Sequence, residues 1–147
     1  MKEALRQAGL ALLVLLIILS IYVSYTGKVR MAIVDGRSME PLLHTGDVVF
    51  IRKMPADRIK PGDIVVYNAG TRYIIHRVLN VFQVNGQTCY LVKGDNNPYP
   101  DPGFPSCNYE GIPYSRVVGV VVSYHNTTLK VPYIGGFSVA IKGGEKY

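Results

Sequence analysis

The stretch "VDGRSMEPLLHTGDVVF", residues 34–50, places Ser38 between an arginine and a methionine, with Gly36 before it and Pro41 after it. Glycine and proline punctuate turns, and a turn serine commonly bonds its hydroxyl to nearby backbone, which is one reading of Ser38. The other is nucleophilic chemistry. A serine hydroxyl attacks poorly until a neighbouring base takes its proton, and that base works best with a pKa near the operating pH. Three histidines could serve. His44 lies beside the Thr45-Gly46 turn and reads as a surface residue, and His125 ends a strand-like run next to the sequon Asn126-Thr127-Thr128. His76 stands in the apolar run "YIIHRVL", where an imidazole needs a polar partner. On spacing alone, a core histidine satisfied by backbone or a carboxylate is the simpler reading. A catalytic histidine would want an acceptor that fixes its tautomer and stabilises the imidazolium, and Asp95 and Asp101 are the carboxylates that could supply it. Spacing does not by itself bring these three segments together.

The elements that would have to do so are mostly strands. From Asp47 onward, the β-branched and aromatic runs "DVVFIRK", "IVVYNAG" and "YIIHRVLNVFQV" alternate with turn signals such as "PADRIKPGD". In "FQVNGQTCYLV" the pair Asn85-Gly86 separates two such runs, a hairpin signature because both residues tolerate positive φ. "RVVGVVVSYH", residues 116–125, reads as a buried strand with a bulge or a close contact at Gly119. Residues 93–115, which hold both aspartates, read as one long loop whose prolines at 98, 100, 102 and 105 restrict the backbone. The expectation is a mainly β fold: a small β-rich domain over 28–147 behind an N-terminal helix.

That helix is expected to be a membrane anchor over 1–27. The run "AGLALLVLLIILSIYV", residues 8–23, is uncharged and apolar on every face, and the uncharged stretch continues to Gly27. At 1.5 Å per residue it covers about 30 Å, the thickness of a bilayer's hydrocarbon core. A cleavable signal peptide fits less well, since Tyr22 or Ile18 would occupy the third position before a cut after Ser24 or Ser20. Lys2, Arg6 and the free amino terminus roughly balance Lys28, Arg30 and Arg37, so flanking charge does not orient the helix. The tail "VPYIGGFSVAIKGGEKY" has an apolar run, 131–141, too short to span.

With 147 residues the chain holds about one domain beside this helix. The formal charge of +6 is scattered, with no basic run longer than a pair, so it reads as solvated surface near a membrane, and nucleic acid is not expected as a partner. The two cysteines, Cys89 and Cys107, are too few for a four-ligand zinc site and form no CxxC pair. A disulfide or two free thiols remain. If the domain is exported, a bridge between them would contribute on the order of 3 kcal/mol. The sequon and a possible bridge both favour an exported domain.

Taken together, "GRSMEP" with "TGDVV", then "IIHRV", then "KGDNNPYPD", all behind one N-terminal membrane helix, resemble type I signal peptidase, in the archaeal and endoplasmic-reticulum branch that carries histidine where bacterial enzymes have lysine. The resemblance covers the anchor and roughly residues 30 to 124, with the motifs in the family's order. It implies that Ser38, in the box Ser38-Met39-Glu40-Pro41, is the nucleophile and His76 the general base. Asp101 is assigned to orienting the base and Asp95 to supporting it, with the reverse left open. Gly36, Met39 and Pro41 would border the substrate and oxyanion region. Some relatives carry a hydroxyl residue at the position of Gly36, so here the oxyanion hole would rest on backbone N–H groups, including that of Ser38.

The reaction so implied is cleavage of one peptide bond in a secretory preprotein, after small residues, at the surface of a lipid bilayer. The domain would face outside the cytoplasm, or the endoplasmic-reticulum lumen in a eukaryote. No metal or cofactor is implied; translocon or accessory subunits are further partners that the sequence does not specify. A Ser/His mechanism predicts a pH profile rising in the usual histidine range, about 6.5, whereas a Ser/Lys mechanism through Lys93 or Lys53 would rise only above about pH 9. The alternatives are a membrane-anchored, non-catalytic β-domain that binds exported chains or acts as an assembly subunit, and a self-cleaving protease of related fold.

Overall fold

A computed structural model describes residues 2–25, 29–124 and 127–132. The chain divides into two compact units, Met1–Arg30 and Met31–Tyr147. The first holds α1, Lys2–Tyr25, whose 24 residues extend about 36 Å at the helical rise. Among the described residues no helix is long and apolar enough to cross a membrane. The side chains from Leu12 to Leu19 are each more than half or about half exposed.

The second unit is built on an antiparallel sheet. Its strands are β1 (Val29–Ile33, of which 31–33 fall in this unit), β2 (Val48–Arg52), β3 (Ile64–Asn68), β4 (Tyr73–Val84), β5 (Gln87–Lys93), β6 (Ile112–Pro113) and β7 (Val117–Val121). The antiparallel pair β8 (Ser123–Tyr124) and β9 (Thr127–Thr128) and the short β10 (Lys130–Val131) follow. In space the order is β1-β2-β7-β3-β4-β5-β6, with β10 also pairing β2. The mainly β expectation therefore holds for the domain.

Period-2 alternation distributes the central strands between two cores. Ile64 and Val66 of β3 pack with Val34, Met39, Leu43, Val49, Ile51 and Val121, whereas Val65 and Tyr67 pack with Val78, Tyr90, Val92, Ile112 and Val120. This explains why "IVVY" shows no polar alternation: the strand is buried on both faces.

The Asn85-Gly86 turn joins β4 to β5 with φ of 49° and 79°, as the pair predicts. Gly119 makes a close contact, since a Cβ there would lie 2.6 Å from the Arg52 carbonyl oxygen, and a register shift between Val66 and Tyr67 opposite β7 supplies the bulge. Two expectations need correction. The run 116–125 is not one strand, because β7 ends at Val121 and β8 begins only at Ser123, although Val122 N–H still donates to Phe50 C=O at 2.8 Å. The segment 93–115 is not all loop: it contains β6 and the 3₁₀ turn Pro105–Cys107, and a second 3₁₀ turn, Tyr114–Arg116, begins at its end. His125, Asn126 and the tail beyond residue 132 lie outside the described residues.

Candidate active site

The Ser38 segment is tied at both ends before it reaches the site. Val34 and Asp47 exchange backbone with Gly46 through Val34 N–H to Asp47 C=O (2.8 Å) and Gly46 N–H to Val34 C=O (2.9 Å). The Thr45 hydroxyl accepts from Gly36 N–H at 3.1 Å and donates to Gly36 C=O at 3.0 Å. Gly36 holds φ of 105°, in the region that favours glycine, so the chain can turn there. Met39 and Leu43 then form one turn, Leu43 N–H to Met39 C=O at 2.9 Å, and drive their side chains into the first core. Ser38 is carried between an anchored glycine and an anchored methionine.

His76 lies on β4 opposite Val65 of β3 and is 6% exposed. Its Nε2 stands 3.0 Å from Ser38 Oγ. Its Nδ1 is hydrogen-bonded to Asp101 Oδ2. With a carboxylate on Nδ1, that nitrogen holds the proton and Nε2 is left to accept the serine hydroxyl's. Asp101 is itself fixed by its N–H donating to Val92 C=O at 2.9 Å on β5. The second donor to Asp101 Oδ2 is the Tyr67 hydroxyl, at 2.6 Å. Burial, then the bond to Asp101 and its charge, push the Tyr67 phenol well above its ordinary value, so it stays protonated as a donor.

Asp95 does not reach His76. Its carboxylate forks with Arg77, accepting from Nε at 2.8 Å and Nη2 at 2.6 Å, while Arg77 Nη1 donates to Gly62 C=O at 3.0 Å. The bond to Asp95 holds the guanidinium pKa above its ordinary value, against desolvation. The loop carrying both aspartates is sewn to the serine segment: Asn96 N–H donates to Ser38 C=O at 2.8 Å, and Asn96 Nδ2 to Arg37 C=O at 3.1 Å. Cys89 and Cys107 form a disulfide with Cα atoms 5.9 Å apart, closing the chain around Asp95 and Asp101.

A cleft of about 350 Å³ runs beside Ser38 and His76, between residues 32–39 and the start of β4 at Tyr73–Ile75. Gly36 and Met39 line it, Met39 as a floor residue that is 1% exposed. Pro41, expected at its border, is exposed and lies outside its lining. The Ser38 N–H makes no hydrogen bond among the described residues, whereas that of Gly36 is taken by Thr45.

Sequence reasoning missed Tyr67 and the pairing of Asp47 with Lys130, and it placed Thr45 and Asn96 in motifs without assigning their bonds. A signal for Tyr67 was there: a phenol in a strand buried on both faces needs a partner for its hydroxyl.

The Peptidase S24-like family model matches residues 15–122, a span that includes Ser38, His76, Asp95 and Asp101. The chain belongs to that family. This S24-like chain is 33% identical over 113 residues to the "Signal peptidase complex catalytic subunit SEC11C" of Homo sapiens and of Canis lupus familiaris, covering 75% of this chain and 56% of each relative. It is 30% identical over 122 residues to the SEC11 subunit of Schizophyllum commune, covering 71% of this chain and 60% of that protein. The S24-like chain thus spans little more than half the length of these relatives. The resemblance to signal peptidases of the endoplasmic-reticulum and archaeal branch, drawn from the motifs, agrees with them.

Proposed function

We propose that this S24-like chain is a membrane-bound serine endopeptidase that removes signal peptides from secretory preproteins. The observation that carries the reading is the line Ser38 Oγ, His76 Nε2 at 3.0 Å, and Asp101 on the far ring nitrogen. In the proposed reaction His76 Nε2 takes the Ser38 proton as Oγ attacks the scissile carbonyl carbon. The oxyanion so formed accepts a hydrogen bond from the Ser38 N–H. His76 then passes the proton to the leaving amine, and an acyl-enzyme on Ser38 remains. Water, deprotonated by His76, hydrolyses that ester and frees the serine. Asp101 holds the imidazole's orientation and stabilises the imidazolium throughout. Asp95 supports the site indirectly, through Arg77.

The cleft supports an extended substrate. Tyr73–His76 pair with β3 on one side, and pairing with β5 begins only at Arg77, so the outer edge of these residues faces the cleft. An extended peptide laid there would bond to a strand edge, with shallow apolar walls favouring small side chains. The anchoring half of the proposal rests on the sequence alone: the uncharged stretch 8–27 would cover about 30 Å if helical throughout, although among the described residues no helix is long and apolar enough to cross; the domain would then lie outside the cytoplasm or in the endoplasmic-reticulum lumen. Since its relatives are named as subunits of a complex, accessory subunits are part of the proposal.

The test is to incubate purified full-length protein, in detergent or liposomes, with a preprotein bearing a signal sequence, beside the Ser38→Ala and His76→Ala variants. Cleavage after a small residue by the wild type alone is expected. Equal cleavage by all three, or binding of exported chains that survives Ser38→Ala without any cleavage, would overturn the reading in favour of a contaminant or a binding domain.

A further inference from the structure

Two strands, not one, address the carboxylate behind His76. On β4 the imidazole bonds to Asp101 Oδ2 through Nδ1; on the neighbouring β3 the Tyr67 hydroxyl donates to the same oxygen at 2.6 Å. Tyr67 is 2% exposed and packed in the second core among Val65, Val78 and Val120, so its ring has little freedom and its hydroxyl is delivered at a fixed point. Asp101, in contrast, sits in an irregular segment, held on its backbone by one bond to Val92. A rotation that swung Oδ2 away would release the imidazole, and the Tyr67 bond opposes that rotation.

We propose that Tyr67 is a positioning residue for this active site: its hydroxyl pins Asp101 Oδ2 in the orientation that His76 needs, and draws off part of the carboxylate's charge. The inference rests on the reading of His76 as general base. Among the described residues Tyr67 does not line the proposed substrate cleft and makes no hydrogen bond to Ser38; it acts through Asp101. The charged and titratable groups around this carboxylate are His76 from β4, Tyr67 from β3, and Arg72 from the turn between those strands, which acts on the phenol through space. A second donor on a carboxylate weakens its pull on the first. Removing the phenol should therefore do two things at once: loosen the alignment of His76 and leave a more strongly negative Asp101 beside it.

The experiment compares full-length wild type, Tyr67→Phe and His76→Ala in preprotein cleavage across pH 5–9, with thermal unfolding measured in parallel. For Tyr67→Phe at a melting point that still leaves the protein folded at assay temperature, kcat is expected to fall about tenfold with KM within about twofold, and the ascending limb of the pH profile to move up. Replacement of Tyr67 by 3-fluorotyrosine, nearly the same in size but a more acidic and stronger donor, should move the limb the opposite way; this variant carries the test if Tyr67→Phe does not fold. A limb and a kcat unchanged in both variants would overturn the inference, as would a limb moving the same way in both. If His76→Ala keeps wild-type cleavage, the base assignment itself fails; if it is inactive while both Tyr67 variants are normal, only the role of Tyr67 fails.

Discussion

His76 and Arg77 are neighbours on β4, and each takes its own carboxylate from one segment of chain: Asp101 for His76, Asp95 for Arg77. The pleat sends successive side chains to opposite faces, so the two acids cannot exchange partners without a register slip of the strand. Their substitutions should separate accordingly. Asp101→Asn is expected to lower kcat by about 10²–10⁴-fold, beyond whatever stability it costs, since it removes the group that fixes the imidazole tautomer. Asp95→Asn breaks a charge-assisted fork and should cost about 1–3 kcal/mol of stability, with a smaller kinetic loss. Measuring kcat and urea unfolding on both variants checks this, and a larger kinetic loss for Asp95→Asn would reverse the assignment.

Gly94 is a requirement of space rather than of backbone angle. A Cβ at this position would lie 2.6 Å from the Ser38 carbonyl oxygen and 2.9 Å from His76 Nε2. Atoms of both Ser38 and His76, the pair proposed to react, would have to shift together, and misplacement on the ångström scale is felt strongly in rate. Gly94→Ala is expected to reduce kcat/KM about 100-fold while the protein still folds cooperatively. Steady-state cleavage alongside circular dichroism reads both, and near-wild-type turnover would contradict the packing described.

What was legible in the sequence was local. The Asn85-Gly86 hairpin could be read because two residues set its geometry, and β3 because an uninterrupted apolar run between turns has few other fates. Ser38, His76 and Asp101 could be named only through motif resemblance, since the bonds joining them cross 38 and 25 residues of chain. β6 escaped notice because a two-residue strand ending in Pro113 has no periodicity to detect. Lys130 escaped for a different reason: its significance is set by which buried acid β10 happens to pass.

That acid is Asp47, which has no exposed surface. It accepts from His44 N–H at 3.0 Å and from Lys130 Nζ at 2.7 Å, and the same ammonium donates to Leu42 C=O at 2.7 Å. β10 thereby fastens the turn that follows the serine segment. Removing one partner of a buried pair leaves the other charge poorly compensated, so Lys130→Met should destabilise by about 3 kcal/mol. The double variant Lys130→Met/Asp47→Asn should recover part of that loss, because no ion is then buried. Denaturant unfolding of the four proteins gives the coupling directly; additive effects would mean that the pair is not a unit.

Tyr67 also predicts how stability depends on alkali. Its folded pKa is raised above the ordinary phenol value, first by burial and then by Asp101. A raised folded pKa means that its contribution is fully present below the unfolded value, about 10, and is lost as pH rises beyond it, since the unfolded chain then sheds a proton that the folded protein keeps. Phenylalanine has no such proton. Tyr67→Phe should therefore be less stable than wild type at pH 8, by about 1.5–3 kcal/mol for a bond to a charged acceptor. Above pH 10 the gap should narrow, by up to about 1.4 kcal/mol per pH unit. Tyr90, whose burial pushes its phenol up to about 12, titrates alike in both proteins and cancels in the difference. Urea unfolding of the pair from pH 8 to 11.5 measures the gap; a constant difference across that range would mean that the Tyr67 proton is not held by the fold.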